Sequence, residues 1–271
     1  MSRIFRGIIL AGDRAVNDPL RRYSGVESKA MIPIGGKPMI HRVIQALQSA
    51  SSIKSVSLSG PSEKYIDADQ SLSGWREEGA LAWYPSESSP STSAFSMLSI
   101  QPQEDPVLIT TADHPLLSGE IVDCFCNESA QRDCDVIVGL APYDIISATY
   151  PELRKTVLRF RDGAYCGCNL FAFLTPKGRQ IADFWCKIED ERKKPLLLIR
   201  LLGWRAVLKY RLGLLSLDAA LSGLSRRLDL RIGAVILPYA NAGVDVDSVA
   251  DYNVLRHHFV DTDTAMQLPA K

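Results

Sequence analysis

Three stretches of this 271-residue chain hold residues whose types could do chemistry, the first suited to a phosphorylated anion and the other two carrying carboxylates. The first follows an apolar run, 4–11 (IFRGIILA), and reads Leu10-Ala11-Gly12-Asp13-Arg14. A small-residue turn after a buried strand lets backbone N–H groups approach phosphate oxygens closely. Arg14 and Lys29 would add fixed positive charge there, although a tight turn with surface cations would read the same way. The second stretch, Thr111-Ala112-Asp113-His114-Pro115-Leu116, follows the apolar run 106–112. A carboxylate at the end of a buried strand suits a hard divalent cation, which takes oxygen ligands; an acidic residue opening a helix is the plainer alternative. The third is Gly243-Val244-Asp245-Val246-Asp247-Ser248, with Asp251 following. Asp or Ser before a helix is also a favoured cap. The four histidines, His41, His114, His257 and His258, form no nucleophilic triad by spacing.

These residues need a scaffold, and the pattern supplies one. Strand-like runs at 4–11, 54–59, 80–84, 106–112 and 135–140 alternate with helical patterns at 38–49, 63–72, 92–100 and 118–131. Pro38 falls in the first turn of its helix, and Ser118 opens the last. Such alternation predicts right-handed βαβ units around a mostly parallel sheet, a Rossmann-like α/β fold. Ligands of such sheets sit beyond the carboxyl ends of the strands. The loops after residues 11, 84 and 112 are therefore where chemistry is expected. Beyond residue 150 the pattern is less regular: β-rich over 154–173, helical over 177–190, leucine-rich and helical over 193–228, strand at 231–237 and helix at 249–259.

The order strand, L-A-G, Arg, gap, Lys, then Pro33-Ile34-Gly35-Gly36-Lys37-Pro38-Met39 at a helix start resembles the MobA-like NTP transferases. These include the molybdenum-cofactor guanylyl- and cytidylyltransferases, and the pattern is shared with sugar-phosphate and cytidylyl nucleotidyltransferases. The family loop usually reads L-A-G-G-x-G-x-R; here it is shortened to LAGDR, with Asp13 where Gly is usual. Lys29-Ala30-Met31 stands for the family's lysine motif, Asp113 for its D-x-P-L aspartate, and 243–251 for its D-V-D-T-x-E-D-L ending. The resemblance implies a single nucleotidyltransferase domain over 1–271, a three-layer sandwich of the nucleotide-diphospho-sugar transferase type, with a helix-rich insertion at about 180–228.

The resemblance also implies roles. Leu10, Ala11, Gly12, Asp13, Arg14 and Lys29 would bind the nucleotide, with Ser91 and Ser93 near the base, where the same hydroxyls could instead cap a helix. Arg14, Lys29 and Asp113 would be catalytic. Asp113 and Asp247 would hold Mg²⁺, with Asp245 a rival ligand and Asp251 the helix-start residue. Asn169, in Gly167-Cys168-Asn169, would contact the acceptor. The implied reaction is transfer of NMP from an NTP, GTP or CTP, to a phosphorylated small molecule or lipid headgroup, releasing pyrophosphate. An NDP-sugar-dependent glycosyltransferase and a catalytically inactive nucleotide-binding protein are the alternatives.

Composition bounds the rest. With 46% hydrophobic and 23% charged residues, the chain can bury a core, which excludes a disordered or fibrous protein. Lys plus Arg and Asp plus Glu each number 31, so overall charge gives no attraction to nucleic acid. The cysteines, 124, 126, 134, 166, 168 and 186, lack zinc-site spacing and read as reduced thiols of a cytoplasmic protein. MSRIFRGIILAG reads as a first strand rather than a signal peptide, and no apolar run is long enough to span a bilayer. No acidic residue lies between Glu191 and Asp218, a span with seven Lys and Arg. As a helix over 196–215, Leu197, Leu201, Trp204, Leu208, Leu212 and Leu215 would form one stripe, with Ile199, Leu202 and Ala206 roughly opposite. Two short core helices with solvated cations would satisfy this pattern. So would a helix with one stripe on the core and the other on a membrane or partner, a peripheral contact through 193–215. Gly203 and Gly213 would break the helix.

Overall fold

The computed structural model describes residues 3–13, 18–189 and 203–266. Its centre is an eight-stranded sheet. Strand β1 (Phe5–Leu10) lies in the middle, flanked in parallel by β4 (Ile53–Ser59) and β6 (Val107–Thr111). Beyond β4 comes β5 (Ala82–Tyr84), also parallel. Beyond β6 comes β9 (Gly163–Phe173), which runs antiparallel to both β6 and β7 (Val136–Pro142). Strand β10 (Ile232–Ile236) closes that edge parallel to β7, and β8 (Leu158–Phe160) pairs with β9. The mostly parallel expectation holds, with β9 reversed in its midst.

Residues on β1 show why the sheet has helices on both sides. Ile8 and Ile9 are both fully buried, yet successive strand residues point to opposite faces. Ile9 packs with Ile40, Val43, Ile44 and Leu47 of α2 (Met39–Ser49) and with Phe125 of α6 (Gly119–Ala130). Ile8 packs with Ala94, Met97 and Leu98 of α5 (Pro90–Ser99) and Ala182 of α9 (Ile181–Glu189). Each Ile, Val, Leu, Met and Phe among these side chains gains about 1.5–3 kcal/mol from burial. A third cluster, including Leu20, Ile32, Ile34, Met39, Leu116, Val244, Val246 and Leu255, lies under the loops that carry the candidate site.

The Ile34-Gly35-Gly36-Lys37 turn joins β2 (Pro33–Ile34) to β3 (Lys37–Pro38), with φ of 55° and 69° at its glycines. Two consecutive left-handed residues are what a tight two-residue hairpin demands. Pro38 then precedes α2 at its N-cap.

Two expectations need correction. The helix expected over 63–72 is two, α3 (Glu63–Ala68) and α4 (Gln70–Glu77). They part at Asp69, whose carboxylate caps the second by accepting the Ser71 and Leu72 N–H groups at 3.0 Å. The leucine stripe of 196–215 is not a core stripe where it is described. Helix α10 (Trp204–Arg211) has no buried residue, and it ends before Gly213, at φ 68°. Leu215 alone of the described stripe is buried. Leu197 and Leu201 lie outside the described residues. Helix α11 (Leu217–Leu228) follows, and α12 (Val249–Met266) ends the described chain. Among the described residues no helix is long and apolar enough to cross a membrane.

Candidate functional site

A cleft of about 390 Å³ opens at the carboxyl ends of β1 and β6. Leu10, Ala11, Gly12 and Asp13 form one wall, Lys29 and Ala30 the next, and Ser89, Pro90 and Ser93 a third. Thr111, Ala112 and Asp113 reach it from β6, Asn169 from β9, and Asp245 and Asp247 from the loop before α12.

Lys29 is the hub. Its Nζ donates to Asp113 Oδ2 at 2.6 Å and to Asp247 Oδ1 at 2.8 Å. Burial alone would lower the Lys29 pKa, but the two carboxylates outweigh it and hold the ammonium above its ordinary value. Burial would likewise raise the Asp113 carboxyl, and Lys29 beside it holds it below the usual range. Both groups are therefore charged throughout the neutral range. The backbone of Lys29 is fixed as well: its N–H donates to Asp13 Oδ1 at 2.8 Å.

The acidic loop is positioned by strand-like alternation. Val244 and Val246 are fully buried, which turns Asp245 and Asp247 into the cleft. Val246 N–H donates to Asp113 O at 2.9 Å, tying the loop to the end of β6. Asp247 is not the cap of α12. Asp251 accepts the N–H groups of Asp247 and Ser248 at 3.2 and 2.9 Å, and Ser248 Oγ accepts the Asp251 N–H in return. Nor does Asp113 open a helix, since Ser118 caps α6 through the Ile121 N–H.

Asn169 stands at a break in the sheet. The β7–β9 register shifts between Val138 and Leu140, leaving Cys168, Asn169 and Leu170 opposite Gly139, and β6 pairs with β9 only as far as Ile109–Phe171. Asn169 takes a left-handed φ of 50° and donates through Nδ2 to Asp245 Oδ2 at 2.9 Å. The other oxygen of Asp245 pairs with Lys155, a nearly buried residue that the motifs do not reveal. Asn241 is a second missed residue. It accepts at its backbone oxygen from His114 Nε2 at 3.1 Å and at Oδ1 from the Tyr150 hydroxyl at 2.5 Å. His114 is thus buried and structural in its bonding, with its ring pKa lowered by burial.

Gly12 is required by close approach: a Cβ there would lie 2.9 Å from Ser86 Cβ. Of the serines, Ser93 lines the cleft and its Oγ accepts the Glu87 N–H at 2.9 Å. Ser91 does not line it. Its hydroxyl lies 3.0 Å from that of Ser89, which with Thr92 forms the capping box of α5. Arg14 lies outside the described residues.

The described lining carries six carboxylates, Asp13, Asp18, Glu87, Asp113, Asp245 and Asp247, against the two cations Arg21 and Lys29. Asp113 Oδ1 is buried with no hydrogen bond of normal geometry. These carboxylates are oxygen donors of the kind a hard divalent cation takes, with Lys29 bridging Asp113 and Asp247 and no group of three or more His, Cys, Asp or Glu among the described residues arranged to hold a metal ion. Zinc, which favours nitrogen and sulfur, has no such match.

Residues 7–160 match the family model of the MobA-like NTP transferase domain. A probable molybdenum cofactor guanylyltransferase of Haloferax mediterranei is 52% identical over 44 residues, 16% of this chain and 18% of that relative. This match thus spans under a fifth of the curated relative's length. The solved structure of a hypothetical transferase from Thermus thermophilus is 28% identical, with a TM-score of 0.77 over 92% of this chain and 99% of that one. The 4-diphosphocytidyl-2C-methyl-D-erythritol synthase of Anaerococcus prevotii shares the fold at 12% identity, with a TM-score of 0.58 over 96% of this chain and 97% of that one. So does a CMP:2-keto-3-deoxy-manno-octonic acid synthetase complexed with CTP, also 12% identical, at 0.57 over 97% and 100%. With more than half its residues in the family match, around a cleft at the ends of β1 and β6, the chain belongs to the MobA-like NTP transferase family.

Proposed function

We propose that the protein transfers NMP from an NTP, GTP or CTP, to a phosphorylated acceptor and releases pyrophosphate. The observation that carries this reading is Lys29 Nζ held between Asp113 and Asp247 at the mouth of β1 and β6. An acceptor phosphate oxygen would attack the α-phosphorus, and the bond from that phosphorus to the bridging oxygen of pyrophosphate would break. The acceptor phosphate is already ionised, so no strong general base is needed and catalysis rests on positioning and charge.

The loop Ala11–Asp13 would lie along the phosphates, with Arg14 of the same loop adding charge for the departing pyrophosphate. Lys29 supplies a permanent positive charge for the α-phosphate oxygens. Asp113 and Asp247 would hold Mg²⁺, which when bound neutralises charge growing on the phosphate oxygens. The excess of carboxylates in the cleft supports this cation requirement, since a bare triphosphate would meet net repulsion there. Asn169 and Lys155, which bracket Asp245, would contact the acceptor. The acceptor would be a small-molecule phosphate or a phosphate on a lipid headgroup, and the protein would work in the cytoplasm.

The test is release of pyrophosphate from each NTP with Mg²⁺ across a panel of sugar, polyol, pterin and headgroup phosphates. Pyrophosphate formation that needs one acceptor and is lost in Lys29→Ala is expected. NDP release with sugar transfer would instead favour a glycosyltransferase, and nucleotide binding without turnover over the whole panel an inactive binding protein.

A further inference from the structure

Helix α10 presents to solvent a face that the cleft does not use. Its inner side is settled. Tyr210 packs edge-on against Phe160 with ring centroids 5.6 Å apart, and its hydroxyl accepts the Arg159 N–H at 3.2 Å. Just beyond, Leu215 is buried, and its carbonyl accepts the Arg161 N–H at 2.8 Å. Ala206, Val207 and Tyr210 are therefore the half-buried residues of this stretch.

The outer side is apolar and cationic. At 100° per residue, Trp204, Leu208 and Leu212 fall in one stripe opposite Tyr210. They are 63%, 49% and 61% exposed, and Leu214 beyond them is 57% exposed. Arg211 borders the stripe on one flank, Arg205 and Lys209 on the other, all exposed. The Arg205 guanidinium lies 5.4 Å from the centre of the Trp204 ring. No acidic residue occurs anywhere between Glu191 and Asp218.

We propose that this face docks the protein on an anionic lipid surface, with Trp204, Leu208, Leu212 and Leu214 entering the headgroup boundary and the flanking cations meeting lipid phosphates. An exposed apolar stripe bordered on both sides by Lys and Arg, with a Trp beside a cation, is the chemistry of an interfacial helix. A second copy fits less well, because it would set like cation rows beside each other. The helix is anchored to the β8–β9 hairpin, and the same β9 carries Asn169 into the cleft. A docked bilayer would thus lie on the far side of α10 from the hairpin whose second strand carries Asn169. The docking itself does not depend on the proposed reaction and is read without turnover.

The experiment is vesicle flotation of the full chain with phosphatidylcholine alone and with phosphatidylcholine plus phosphatidylserine. Flotation with the anionic vesicles only, weakened by high salt, is expected. Trp204→Glu and Leu208→Glu should each lower partitioning by about tenfold or more. The triple variant Arg205→Gln, Lys209→Gln, Arg211→Gln should abolish the preference for anionic lipid. Because these side chains are exposed, the variants should melt with the wild type, and melting curves check that. Absence of flotation overturns the proposal, as does flotation unchanged by the variants. A dimer in light scattering that Leu208→Glu converts to monomer, with no vesicle binding, also overturns it and assigns the face to self-association.

Discussion

The carboxylate of Asp13 accepts the backbone N–H of Lys29 at 2.8 Å, joining the shortened first loop to the segment that carries the central lysine. The family loop usually has a glycine here. Asp13 therefore gives this loop a contact that glycine could not make, and aims Lys29 at Asp113 and Asp247.

Asp13→Ala should free the Lys29 segment and lower kcat/KM by up to about 100-fold, the scale of a small misplacement of a reacting group. Asp13→Asn keeps an acceptor oxygen and should retain most of the activity. Steady-state kinetics of the two variants check this; equal losses in both would show that Asp13 acts through its charge instead.

Asn169 separates backbone from side chain. Its φ of 50° suits Gly and Asn, whereas a β-branched residue there is strained by about 1–3 kcal/mol. Asn169→Gly should fold with near wild-type stability but raise KM for the acceptor, because Asp245 loses its hydrogen bond. Asn169→Val should lower Tm outright. Denaturant melts and acceptor titrations read the two effects separately.

Asp135 ties the start of β7 to β10 and to the turn at Thr175. It is 4% exposed and accepts the Arg231 N–H at 2.8 Å and the Thr175 hydroxyl at 2.8 Å. Burial would raise its pKa, but the bonds from Arg231 and Thr175 hold it at about 2. A depressed carboxylate stabilises the fold above its unfolded pKa, and that stability disappears as pH falls through the folded value. Wild type should therefore lose about 2 kcal/mol between about pH 4 and pH 2 through this residue. Asp135→Ala should be less stable by about 2–4 kcal/mol at neutral pH and lose less on acidification. Urea melts across that pH range measure both.

The central strands were legible because β1 and β6 are short apolar runs covered on both faces, and such runs are distinctive in sequence. Asp113, Lys29 and Asp247 were legible by type and order. The valine alternation that aims Asp245 and Asp247 can also be read directly from V-D-V-D. Lys155 was not, because its pairing with Asp245 spans 90 residues of chain and a lone loop lysine carries no local signal. The bulge at Asn169 was hidden for a similar reason: C-G-C-N-L-F-A-F reads as plain strand, and only the partner register shows the extra residues. The leucines of α10 misled in the other direction, since spacing marks a stripe without saying whether core or surroundings cover it.

The most direct measurement is the thermal shift of wild type and Asp113→Ala with each of the four NTPs, with and without Mg²⁺. Near-saturating ligand should raise Tm by about 5 °C. The expected result is stabilisation by one NTP that requires both Mg²⁺ and Asp113, which would also name the base. No shift with any NTP, or an equal shift in Asp113→Ala, would contradict a nucleotide held at Lys29, Asp113 and Asp247.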